Sequence, residues 1–401
     1  MQTSPDIGEL PEGAVTPEDI EKWEREFDGL IQRINPLFRR REPRNHAEDY
    51  LRGLLSPLAR KNCWEFYRNT GDRTPKELQR FLNLTPWDEE LLRDVNVEYV
   101  IEHFADPHGT LIADPTGFAK KGRKSAGVQR QYSGTLGKVD NCQIGTFLAY
   151  ADTHGNHVLV DRELYIPEKT WCDDPERCNE AGIPEDYEFS TRPQQVKGMI
   201  ERMTAAGLPF AWFAADEEFG QNPGLCDFLE KNSIAYVMAI PKNTRPPSQG
   251  EPQREIHEII HGLRDHDWSR RACGIGTKGF RVYDWAFTGS PEPYIQYMAR
   301  RNIDTGELAY YRCFNPRNES ACELVRVAGT RWPVEECFNA SKSEVGLDQY
   351  QVRLYRAWYR HITLAMLALT FLAVVRKTAK KGTLRLWKTS RNREDKCRGK
   401  G

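Results

Sequence analysis

Leu111-Ile112-Ala113-Asp114-Pro115-Thr116-Gly117 sets a carboxylate at the end of an apolar run. The arrangement returns at Trp212-Phe213-Ala214-Ala215-Asp216-Glu217-Glu218-Phe219-Gly220. A third acidic stretch, Arg331-Trp332-Pro333-Val334-Glu335-Glu336-Cys337-Phe338-Asn339-Ala340-Ser341-Lys342, reads as helix, with a cation on either side of Glu335. A carboxylate at a buried strand end is expensive unless a metal or hydrogen bonds satisfy it. Three that converge would hold two hard divalent cations, the equipment for cutting and joining phosphodiesters. Acids are common, and on spacing alone three unrelated surface carboxylates remain open.

Around these stretches the pattern is mixed α/β. Residues 110–113 read as a short strand with Asp114 at its end. Strands 143–151 and 157–166 follow, joined by the turn Asp152-Thr153-His154-Gly155-Asn156. A helix over 192–206 carries Val196, Ile200 and Met203 on one face. Strand 210–215 ends at Asp216, a helix covers 225–231, and a strand covers 235–240. Residues 242–306 interrupt this core. They open with linker-like Asn243-Thr244-Arg245-Pro246-Pro247-Ser248-Gln249-Gly250 and continue as strands 281–287 and 294–299. After a further strand at 309–314, one helix spans 321–342 and a second, apolar helix spans 355–375.

Residues 16–105 read as helical. Thr16-Pro17, Thr74-Pro75 and Thr85-Pro86 each place a capping Thr before a Pro at the first helical position. Basic residues Arg39, Arg40, Arg41 and Arg44 lie between two of these starts. Such a region suits DNA-end binding, and equally an ordinary bundle with a solvated basic loop.

The chain has 401 residues and a formal net charge of −1, which looks wrong for a DNA binder. The average hides a segregation. From Arg376 to Gly401 there are eleven Lys/Arg against two Asp/Glu, a local balance of +9. Local basic surface, not total charge, sets phosphate affinity. Ten cysteines are scattered without a CxxC pair, which points to reduced thiols in a cytoplasmic protein. The start, Met1-Gln2-Thr3-Ser4-Pro5-Asp6, is no signal peptide. The longest apolar run, 362–375, is too short to span a bilayer, so no membrane partner is expected.

These residues also carry a family resemblance. Arg331, Glu335 and Lys342 fall on the Arg, Glu and Lys of the Tyr-x2-Arg-x3-Glu-x6-Lys signature of bacterial cut-and-paste insertion-sequence transposases of the DDE type. The Tyr position is Ala328, a departure. The likeness extends through Gly127–Gly134, Asp161–Tyr165 and Gly346–Arg353. It implies an RNase H-like mixed-sheet core with a β-rich insertion, preceded by a helical N-terminal DNA-binding region. In that core the first and fourth strands are neighbours, so Asp114 and Asp216 would meet. It further implies Asp114, Asp216 and Glu335 as catalytic metal ligands for two Mg2+ or Mn2+ ions. The expected division is 1–105 helical DNA-end-binding region, 106–241 first part of the core, 242–306 insertion, 307–380 second part, and 381–401 basic tail.

Arg331, Glu335 and Lys342 are four and seven apart, which puts them on one helix face. They would clamp DNA phosphates, or else form a solvated salt-bridge face. Trp332 would stack on a flipped base, or else sit in the core. Lys120, Lys121, Arg123 and Lys124 follow Asp114 closely and would grip phosphates, or else form a solvated turn. Arg130 and Tyr132, on a loop, are further candidate DNA contacts. His257-Glu258-Ile259-Ile260-His261 matches the HExxH helix of zinc proteases, but Gly262 follows at once and no third ligand stands at the extended-motif spacing.

The expected activity is DNA transposition. The protein would bind terminal inverted repeats and target duplex as a homodimer assembled on DNA ends. It would cleave the DNA, through hairpin ends, and join it, in the bacterial cytoplasm at the nucleoid. A domesticated DNA-binding protein or nuclease on the same fold is the alternative, and the zinc protease a remote one.

Overall fold

The computed structural model describes residues 16–70, 74–134, 137–249, 252–276 and 279–398, with side chains of the final helix as far as Thr378. The chain opens with five helices: α1 (Pro17–Ile34), α2 (Arg41–Leu55), α3 (Cys63–Thr70), α4 (Lys76–Asn83) and α5 (Glu89–Phe104). Thr16 and Asp19 form a reciprocal capping box that starts α1, and Asp88 caps α5. The apolar stripe of α1 buries Phe27, Leu30, Ile31 and Ile34.

The sheet begins with β1 (Thr110–Ala119), β2 (Gln129–Ser133), β3 (Lys138–Ala151) and β4 (His157–Leu164). Then come α6 (Pro175–Glu180), α7 (Arg192–Ala205), β5 (Trp212–Ala215), α8 (Glu217–Gly220), α9 (Pro223–Lys231), β6 (Ala235–Ile240) and α10 (Ile256–His261). The chain continues through β7 (Ser269–Gly276), β8 (Gly279–Gly289), β9 (Ile295–Arg301) and β10 (Leu308–Phe314). It closes with α11 (Ala321–Gly329), α12 (Arg331–Ser343) and α13 (Tyr355–Arg398).

Among the described residues these strands form one ten-stranded mixed sheet, ordered β2-β3-β1-β5-β6-β10-β9-β8-β7, with β4 also on β3. The pairs β1–β5 and β5–β6 are parallel and the others antiparallel. Besides β1, strand β3 serves two further partners on its other edge, β2 along its first residues and β4 along its last. The α/β reading of the sequence therefore holds, and strands one and four of the expected core (β1 and β5) are neighbours.

Four local readings change. Asp114 does not end its strand: β1 runs on to Ala119, because residues 114–119 keep their pairing with β3 after β5 has stopped. Residues 129–133, read as a loop, form β2 on β3. The helix expected over 321–342 breaks at Thr330. There Gly329 lies so close to the Cys273 carbonyl of β7 that a Cβ would collide with it. The apolar helix does not stop near 375 but runs to Arg398. The 242–306 stretch extends the same sheet by β7, β8 and β9, of which β7 had no clear sequence signal.

Helix α13 is the central pillar. By length and composition its stretch Tyr355–Thr378 is apolar enough to cross a membrane, with mean hydropathy 1.5. Here 83% of that apolar window is buried inside the protein. Its buried polar groups bind the N-terminal helices to the sheet. Thr370 Oγ1 donates to Asn96 Oδ1 at 2.8 Å, and Asn96 Nδ2 donates to the Leu159 carbonyl at 3.1 Å. Arg360 donates to the carbonyls of Leu82 and Trp87 at 2.8 and 2.7 Å. His361 lies 2.8 Å from the Tyr50 hydroxyl, and burial pushes its imidazole down to about 3, so it is neutral.

Arg162 on β4 is the most enclosed cation of this network. Its guanidinium donates to Glu90 at 2.8 Å and to Thr363 Oγ1 at 2.9 Å, with Asp161 at 3.5 Å. Burial favours protonated Glu90, yet Arg162 and Arg93 outweigh it and hold that carboxyl below its ordinary range. Without Arg162, Glu90 keeps Arg93, but the fully buried Asp161 loses one of its two cations and Thr363 its donor. Arg162→Met is expected to destabilise the fold by about 3–5 kcal/mol. Urea denaturation of the variant beside the wild type measures this, and a loss within experimental scatter would show the network to be dispensable.

Candidate active site

The site is built on strand register. Strand β1 pairs with β5 from Thr110↔Trp212 to Ala113↔Ala215. One step further along each chain stand Asp114 and Asp216. Strand β5 stops there, and Asp216 caps α8, its Oδ1 accepting the Glu218 N–H at 3.0 Å. Strand β1 continues, held on its other side by β3. Pro115, which has no N–H to give, suits a strand that has just lost a partner. The departure of β5 opens a cleft of about 680 Å³, floored by Asp114, Pro115, Thr116 and Gly117.

Helix α12 forms the facing wall. Arg331, Glu335, Phe338, Asn339 and Lys342 recur at helical spacing and all line the cleft. Arg331 lies 3.9 Å from Glu335, both partly exposed. Lys342 Nζ donates to Thr116 Oγ1 on β1 at 2.8 Å, which pins the helix to the strand. Burial pulls the Lys342 ammonium below its usual value, while Asp348 and Asp114 work the other way.

The three acids therefore reach one cleft from β1, the β5–α8 turn and α12. Their mutual repulsion is visible in Asp114, whose carboxyl is pushed up to about 7. Burial is the largest cause, then Asp216, with Glu335 and Glu218 adding and Arg331 opposing. The site combines poor solvation with neighbouring carboxylates, and both favour the protonated acid. Its donors are all carboxylate oxygens, the set that suits a hard cation such as Mg2+ or Mn2+. Among the described residues no group of three or more His, Cys, Asp and Glu is drawn together closely enough to hold an ion as it stands. The acids surround the cleft rather than forming a closed cage.

The other expected contacts divide. Arg130 and Tyr132 lie on β2, both exposed, and Tyr132 lines the cleft with Gln129 and Gln131. Lys121, Arg123 and Lys124 are exposed beyond the end of β1, Lys124 lying 3.6 Å from Glu180. Lys120 is half-buried, its Nζ 3.4 Å from the centre of the Tyr350 ring, and burial pushes it down to about 7. Trp332 is stacked on Tyr283 of β8, rings 5.8 Å apart and 5° from parallel, with Arg281 and Arg300 each 5.0 Å away. It sits between α12 and the added strands and does not line the cleft. Ala328, at the signature Tyr position, is buried on α11. His257 and His261 share α10, a helix of 6 residues, with ring centres 6.1 Å apart.

Sequence reasoning did not single out Arg192, Tyr165, Gln129 or Gln131, which also line the cleft. Gln129, Gln131 and Tyr165 fall in the stretches that carry the family likeness, whereas Arg192 precedes a Pro at the start of α7 like many helix-start residues and is brought in by its ion pair with Glu218.

Comparison with known proteins bears on the family of the chain. Residues 33–256, more than half of the chain, match the family described as DDE superfamily endonuclease. The chain is 27% identical over 310 residues to the probable transposase for insertion sequence element IS701 of Microchaete diplosiphon, covering 76% of this chain and 75% of that protein. It is also similar to a piggyBac transposase solved as a synaptic complex with hairpin DNA, at 10% identity and a TM-score of 0.43, covering 94% of this chain and 70% of that one. Expected from its acidic stretches and matched over more than half of its length, the chain belongs to the DDE superfamily of endonucleases.

Proposed function

We propose that this protein is a transposase that binds the terminal inverted repeats of an insertion sequence, cleaves the DNA at its ends and joins the freed ends to a target duplex. The observation that carries the reading is the convergence of Asp114, Asp216 and Glu335 on one cleft walled by Arg331 and Lys342. The sheet order around β1, β3, β4, β5 and β6 supports an RNase H-like core, with β7–β9 as its insertion. The five leading helices, with exposed Arg39, Arg40 and Arg41, would serve as the DNA-end-binding region. The basic residues after Arg376 would add phosphate contacts, and a homodimer would hold two ends together.

Asp114, Asp216 and Glu335 would hold two Mg2+ or Mn2+ ions, which activate an attacking oxygen and stabilise a leaving one. The chain's own groups do the rest. Arg331 presents a planar fork to a phosphate beside the scissile bond, and Lys342, already tied to β1, presents a point charge on the other side. Tyr132, Gln129 and Gln131 offer contacts to the DNA beyond. In the first step water attacks phosphorus and a 3′-OH departs. That 3′-OH then attacks the opposite strand, giving a hairpin end, and water reopens it. In joining, the same 3′-OH attacks a target phosphodiester. No protein side chain becomes covalently attached. Ala328 favours a second reading, a domesticated nuclease or binding protein, because the signature Tyr would assist end processing. Terminal inverted repeats and a short target duplication flanking the gene would decide for mobility.

Asp114→Ala, Asp216→Ala and Glu335→Ala are each expected to abolish Mg2+-dependent cleavage of an end duplex while leaving end binding largely intact. Glu336→Ala, whose side chain faces Arg281 at 3.1 Å instead of the cleft, is expected to cause a much milder loss. Cleavage at the wild-type rate by any of the three would remove that residue from the site.

The cations need a separate test. Arg331→Ala and Lys342→Ala should spare metal binding and damage strand transfer, and Arg331→Lys should also be impaired because Lys lacks the bidentate fork. If the pair merely decorates a solvated helix, each change should cost within about 0.5 kcal/mol of stability and leave joining intact. Nicking, hairpin formation and strand transfer on one labelled end duplex distinguish the outcomes.

A further inference from the structure

The cleft contains a carboxylate outside the acidic triad. Glu218 stands two residues past Asp216 in the first turn of α8 and lines the cleft with Asp114, Asp216 and Glu335. Its backbone N–H is the donor that Asp216 accepts, so one turn of chain carries both acids. Glu217, between them, is exposed and does not line the cleft. The side chain of Glu218 is held by Arg192, Nε to Oε1 at 2.7 Å. Arg192 comes from a different element, the start of α7, and its guanidinium lies 5.6 Å from the ring of Tyr165, another cleft residue.

Four acids thus meet three cations, Arg192, Arg331 and Lys342, across one cleft. Two hard cations require many oxygen donors, and three carboxylates leave most positions to water or substrate. A fourth carboxylate on the same turn as Asp216 is placed to supply another. Its present partner is of the type that phosphates attract most strongly, a guanidinium with a two-pronged fork. An entering DNA phosphate would engage Arg192 and leave Glu218 facing the cleft without its counter-charge.

We propose that Glu218 is a fourth acidic ligand of the cation site, held by Arg192 until cations or a DNA phosphate enter. The inference rests on the reading of the cleft as a divalent-cation site.

The test is titration of the full-length protein with Mn2+, without DNA, following heat by calorimetry and free Mn2+ by electron paramagnetic resonance. Glu218→Gln is expected to weaken Mn2+ binding by at least about tenfold, the loss that even an outer-shell change can cause. Glu217→Gln should bind as wild type. Arg192→Gln should bind Mn2+ more tightly than wild type, because Glu218 has lost its competing partner; a folding defect would not produce that gain. Wild-type Mn2+ affinity and stoichiometry in Glu218→Gln, with binding lost in Asp114→Asn, would overturn the role of Glu218 and leave the triad standing. Unchanged binding in Asp114→Asn as well would overturn both.

Discussion

The parallel pairing of β1 with β5 is the constraint on which the cleft depends. It runs for four residues and ends at Ala113 and Ala215. Because both strands point the same way, the residues after those two alanines stand side by side, the first still paired with β3 and the second at the turn into α8. Both are aspartates. A shift of one residue in this register would turn Asp114 to the opposite face and close the site. The pairing is secured on both flanks, by the long antiparallel contact of β1 with β3 and by the parallel contact of β5 with β6. Asp114 and Asp216 therefore follow strand residues that are paired on both edges.

A second constraint comes from α13. It is buried along most of its described length and packs on both the sheet and the N-terminal helices. Its hydrogen bonds are made from the interior, through Arg360, His361, Thr363 and Thr370, to backbone and side chains of other elements. Such bonds are directional, so they fix how the helical layer sits on the sheet, where apolar contact alone would tolerate sliding.

Charge at the cleft is balanced unevenly. Asp114, nearest the floor, bears the repulsion of its neighbours, while Glu335 and Glu218 each have an arginine beside them. Burial raises the Asp114 carboxyl most, and it also raises that of Glu218, with Arg192 opposing and Asp216 adding.

Much of this was legible in the residues themselves. Apolar runs ending in Asp114 and Asp216, the alternation of strands and helices, and the helical spacing of Arg331, Glu335 and Lys342 are local properties, and local properties survive folding. The strand Ala235–Ile240 was read to the residue because its apolar run is bounded on both sides. What failed was non-local. Residues 129–133 are polar and look like loop; they become strand because β3 offers them an edge. The break at Thr330 has a local cause as well, since Pro333 cannot donate to the Gly329 carbonyl, and Gly329 also lies against Cys273 of β7. Trp332, open in sequence between base stacking and core, is stacked on Tyr283, a residue nearly fifty positions earlier. Arg192 and Glu218 carry no motif, and only tertiary structure sets them in the cleft, since a surface ion pair leaves no periodic trace in a chain.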